Sequence, residues 1–67
     1  MTNRHAMLEY TKTILRKVSF SPSLFRKELT KSFKWLQKEE IRLLQAWCLL
    51  TFGDVYSDII MESFKGI

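Results

Sequence analysis

The sequence is poor in the residues that staple, break or arm a small protein. Among its 67 residues there is one cysteine, one histidine, one proline and two glycines. A lone cysteine, Cys48, cannot close an internal disulfide. Cys48 and His5 together fall short of the roughly four ligands a structural zinc site requires. So little glycine and proline excludes a loop-rich chain or a many-turned β protein. The longest unbroken apolar run, Ala46 to Leu50, is far below the ~20 residues that cross a bilayer. Met1-Thr2-Asn3-Arg4-His5 leads into neither a continuous apolar core nor a small-residue cleavage site, so no signal peptide and no membrane partner are expected. A reduced cysteine suits a cytoplasmic setting.

Site chemistry is equally thin. No Gly-rich phosphate loop, no His-Glu-x-x-His run and no Ca²⁺ loop is present. A Cys/His nucleophile needs the thiol beside an imidazole. Cys48 falls on an apolar helix face and His5 stands near the N-terminal end. A free cysteine in that setting is a small buried hydrophobe. Asp54, Asp58 and Glu62 recur at every fourth residue. This pattern reads more simply as a solvated face offsetting the helix dipole than as a cation site. The expectation is therefore no catalytic residue, no cofactor, no metal ligand and no small-molecule substrate: a protein that is not an enzyme.

What the chain does have is apolar and aromatic content. It is 46% hydrophobic, 13% aromatic and 27% charged, which is not the composition of a disordered segment. A single domain spanning residues 1–67 buries only about 60% of its unfolded surface. Without disulfides or a metal, such a scaffold leans on helix packing or on self-association. The net charge of +4 and pI of about 9.5 favour acidic partners modestly.

Periodicity predicts an all-α protein, a compact bundle of three to four helices with the third central. Met7, Thr11, Ile14 and Val18 recur at helical spacing, with Leu8 and Leu15 beside them. This first helix starts near Asn3 or Arg4. Ser21 and Pro22 mark a second start, Ser21 as N-cap and Pro22 as first helical residue. Phe20 and Phe25 have the spacing of a hydrophobic staple across that start. The second helix is expected to reach Leu36, burying Phe25, Leu29, Phe33 and Leu36. A break is expected near Leu36 to Lys38, because Glu39 and Glu40 suit a new positive N-terminus. The third helix then runs from Lys38 to Phe52, with Gly53 as a left-handed stop. Asp54 would cap a fourth helix, from Val55 to about Lys65.

Two features carry functional expectations. The third helix is apolar on two sides: Ile41, Leu44, Cys48 and Phe52 make one stripe, Leu43, Trp47 and Leu50 a roughly opposite one. A helix apolar on most sides is either central or at an interface. Leu43, Trp47, Leu50, Trp35 and Leu24 are thus the candidate interface, although both tryptophans, Trp47 more than Trp35, could instead fill a core. A homodimer or another protein partner follows from that excess. The second feature is a basic stripe, Lys27, Lys31, Lys34 and Lys38, opposite the buried face of the second helix. It could neutralise nucleic-acid phosphates, or it could simply be the solvated side of an amphipathic helix. The leading expectation is a self-associating protein–protein interaction module, an adaptor or regulator. The alternative is a small basic nucleic-acid-associated protein.

The stretch from Tyr10 to Phe20, Trp47-Cys48 and Phe52-Gly53-Asp54 together resemble a group of short uncharacterised bacterial proteins. The resemblance implies a stand-alone helical protein of the bacterial cytoplasm and brings no function with it.

Overall fold

A computed structural model describes residues 6–66. Its three α-helices are α1 (Ala6–Lys17), α2 (Pro22–Ser32) and α3 (Lys38–Lys65), and each packs on the other two. No strand occurs among the described residues. The start expected for α1, near Asn3 or Arg4, lies outside them.

Local chemistry explains the start of α2. Ser21 is extended, and its hydroxyl accepts a hydrogen bond from the Leu24 N–H at 3.4 Å, with Pro22 at the first helical position. The staple does not close: Phe25 is fully buried, but Phe20 remains 77% exposed. The second helix also ends earlier than its apolar spacing suggests. Ser32 is its last residue, and Phe33 to Trp35 form a turn whose N–H groups bond back three residues. The buried Ser32 hydroxyl donates to the Leu29 carbonyl at 2.6 Å, turning a polar group inward where the helix stops. A fresh helix then begins at Lys38. Its N-terminus is capped by Glu40, whose carboxylate accepts the Gln37 N–H at 2.9 Å.

The main departure from expectation concerns the last third of the chain. Gly53 does not stop a helix, has no positive φ, and Asp54 does not cap a new one. Helix α3 continues through both and bends instead at Tyr56, where φ is −119° and ψ is 24°. The bend is sharp. A straight helix of 28 residues would set its ends about 42 Å apart, yet Phe64, near one end, meets Lys38 and Ile41 at the other. Past Tyr56 the helix returns along α2. Tyr56 lies 4.7 Å from the Phe25 ring, and Phe64 lies 4.9 Å from Phe33. Phe64 consequently shares a cavity with Lys38 and Ile41, near the beginning of its own helix.

The buried positions show why a bend is needed. Leu44, Cys48, Tyr56, Ile60 and Phe64 are buried, with Phe52 partly so. This is a strict four-residue spacing. With 3.6 residues per turn, each step drifts about 40° around the helix. A straight rod would carry Phe64 to the far side from Leu44. Bending at Tyr56 returns Ile60 and Phe64 to the core and leaves Val55 75% exposed. In α1 the buried set is Leu8, Thr11 and Leu15; Met7, which shares the helical spacing of Thr11, is exposed. Among the described residues, no helix is long and apolar enough to cross a membrane.

Candidate functional site

The first limb of α3, from Lys38 to the bend, presents two unlike faces. Ile41, Leu44 and Cys48 point inward. Leu43 and Leu50, seven residues apart and therefore on one face, are 49% and 88% exposed. Ala46 lies between them and is also exposed. Leu43, Ala46 and Leu50 thus set an apolar ridge in contact with water along this face.

The other candidate interface residues lie elsewhere. Trp47 is half-buried beside this ridge. Its ring meets Phe52 edge-on at 5.4 Å, and Lys12 and Arg16 of α1 stand over it at 5.7 Å and 5.4 Å. The two cations cover an aromatic face that would otherwise contact water. Trp35 is half-buried in the turn after α2. Its indole N–H donates to the Thr11 hydroxyl at 3.3 Å, and that hydroxyl donates to the Met7 carbonyl at 2.8 Å. Trp35 therefore ties this turn to α1. Leu24, at the first turn of α2, is 38% exposed.

Lys27, Lys31, Lys34 and Lys38 are all exposed. They do not lie along one helix, however. Lys27 and Lys31 belong to α2, Lys34 to the turn and Lys38 to the first position of α3. The stripe drawn on a single helix is split by the early end of α2 at Ser32.

The acidic ridge is partly engaged. Glu62 pairs with Arg26 at 3.1 Å, linking the second limb of α3 to α2. Among the described residues, no group of three or more His, Cys, Asp or Glu side chains is arranged to hold a metal ion. Burial pushes the Cys48 thiol from its usual 9.0 up to about 12, against the opposing pull of Lys12. It is protonated at neutral pH and a poor nucleophile.

No family model, curated protein or solved structure matches this chain. Function must therefore be argued from the surface itself.

Two residues that matter to the architecture gave no functional signal in the sequence. Tyr56 sits at the bend, its hydroxyl donating to the Ser19 carbonyl. Arg26 makes the ion pair to Glu62. Neither contact follows from local spacing, because each joins residues more than thirty positions apart.

Proposed function

We propose that this protein is a non-enzymatic interaction module, an adaptor or regulator, that self-associates through the outer face of the first limb of α3. One observation carries the reading: Leu43 and Leu50 stand on one face, 49% and 88% exposed. In this reading α3 is the central element, with its inner face serving the bundle and its outer face the partner. A second copy is the simplest partner, since a two-fold pairing needs only one patch that fits itself. The working compartment is the cytoplasm.

Sedimentation at rising protein concentration tests the proposal. The mass should climb toward that of a dimer and be insensitive to salt, because the contact is apolar. Leu43→Lys with Leu50→Lys should hold the chain monomeric, and it should melt as the dilute, monomeric wild type does. A wild-type chain that stays monomeric at the highest concentration would overturn the reading.

The exposure of Lys27, Lys31, Lys34 and Lys38 supports a second reading, contact with nucleic-acid phosphates. Such binding would weaken steeply as salt rises, with a log–log slope of about −0.9 per phosphate neutralised on duplex DNA.

A further inference from the structure

Between Lys38 and Lys65 the backbone departs from helical geometry at one residue, Tyr56. No proline is present in α3, and the single glycine, Gly53, adopts a negative φ that any residue can take. The bend is held by contacts with the rest of the fold: the Tyr56 hydroxyl on the Ser19 carbonyl, Phe64 beside Phe33, and Glu62 paired with Arg26. Each of these partners lies before the bend in the chain. A second copy presents the same Phe33 and Arg26.

The geometry points to exchange of the second limb of α3 between two copies of this chain, with Tyr56 as hinge. Returning Tyr56 to helical φ and ψ straightens α3 into one rod, and the limb leaves its own core for the identical place in a partner. Connections this short invite such exchange, because the bent and straight forms differ at very few dihedrals and share the same native contacts.

A second observation supports the exchange and identifies what would cover the exposed leucines. On a straight α3, Leu43, Ala46, Leu50, Ser57, Ile60 and Phe64 follow three-, four- and seven-residue steps and fall within an arc of about 100°. Glu39 and Arg42 share that arc ahead of Leu43; from Leu43 onward no charged residue falls in it. In the bent form the seam is divided: Ile60 and Phe64 are buried in their own bundle, while Leu43 and Leu50 face water. Straightening points both halves the same way. A partner that receives Ile60 and Phe64 therefore also lies against Leu43 and Leu50. Exchange rests on the self-association proposed above and specifies its form.

The test measures a distance within one chain. Glu39→Cys and Lys65→Cys, introduced with Cys48→Ala, place spin labels on exposed positions at the two ends of α3. Doubly labelled chains are diluted into unlabelled protein, so that only distances within a chain are read. In the bent form the labels are close, since Phe64 shares a cavity with Lys38. On a straight rod, 26 residues separate them by about 39 Å. The expected result is a short distance in the monomer fraction and a long one in the dimer fraction, the long population growing with concentration. A dimer in which the distance stays short overturns limb exchange and leaves face-to-face self-association standing. A chain that remains monomeric throughout overturns both.

Discussion

The Tyr56 hydroxyl donates to the Ser19 carbonyl, so the bend in α3 is fastened to the turn between α1 and α2. The same ring lies against Phe25, which is itself fully buried. One side chain thus joins α3 to α2 and to the turn before it, at the point where the third helix changes direction. Tyr56→Phe keeps the ring and removes only the donor. The expected loss is about 1 kcal/mol, typical of a hydrogen bond whose acceptor retains some access to water. Urea unfolding should show a lower midpoint with an unchanged slope. An unaltered midpoint would mean that the bend is held by the ring alone.

Gly53 separates local from tertiary control. By sequence it is a helix stop, because glycine often follows the last helical residue with a left-handed backbone. Here it lies inside a helix, without positive φ, and a Cβ built on it would meet nothing within 4 Å. Gly53→Ala should therefore stabilise the protein by about 0.5–1 kcal/mol, through helix propensity and a less flexible unfolded chain. Thermal melting would detect it as a rise of several degrees. A fall would show that the bend at Tyr56 draws on freedom at Gly53.

These two positions indicate how far the sequence could be read. The start of α2 was legible because Ser21 and Pro22 act on the backbone beside them. The new start at Lys38 was legible because Glu39 and Glu40 suit the positive end of their own helix. The inward stripe was legible from its spacing at Ile41, Leu44 and Cys48, with Phe52 only partly buried, and the opposite line at Leu43 and Leu50, with Trp47 between them half-buried. The bend was not. Tyr56 has no helix-breaking chemistry, and its departure from helical geometry depends on Ser19 and Phe25, far away in the chain. The early end of α2 was also hidden, since Phe33 and Leu36 keep helical spacing through a turn that is no longer α-helical. That end divides the lysines between two helices and a turn.

Cys48 should behave as a core residue. It is fully buried, and its thiol titrates near 12 rather than 9.0. At neutral pH a thiol reagent should modify it only as fast as the protein opens, and added denaturant should speed the reaction. The shift also has a stability sign. As pH rises above about 9, the unfolded chain loses the thiol proton while the folded chain keeps it. The contribution from Cys48 is therefore complete below pH 9 and declines toward pH 12. Cys48→Ala should remove this part of the alkaline loss. Rapid labelling of the native protein at pH 7 would place the thiol at the surface.

The lysines test the second functional reading without disturbing the fold. Lys27, Lys31, Lys34 and Lys38 are exposed, and surface substitutions are usually within about 0.5 kcal/mol each. Replacing all four with Gln should leave the melting transition nearly in place. Any affinity for duplex DNA should fall and its salt dependence should flatten. If the variant binds as wild type does, with the same salt slope, the phosphates are met elsewhere or not at all.

Trp47 links the ridge to α1, and its half-burial sets the size of its contribution. Fully buried aromatics cost about 3–5 kcal/mol on truncation to alanine. Trp47 has part of its surface in water and part under Lys12 and Arg16, so Trp47→Ala should cost about 2–3 kcal/mol, at or under the low end of that range. Removing the cations separates the two contributions. Lys12→Met with Arg16→Met keeps much of the aliphatic cover and deletes the charge over the ring. Indole emission should shift and stability should fall by only about 1 kcal/mol, the scale of cation–π contacts near a surface. If the double variant is as destabilised as Trp47→Ala, the cations hold α1 against α3 by more than their contact with this ring.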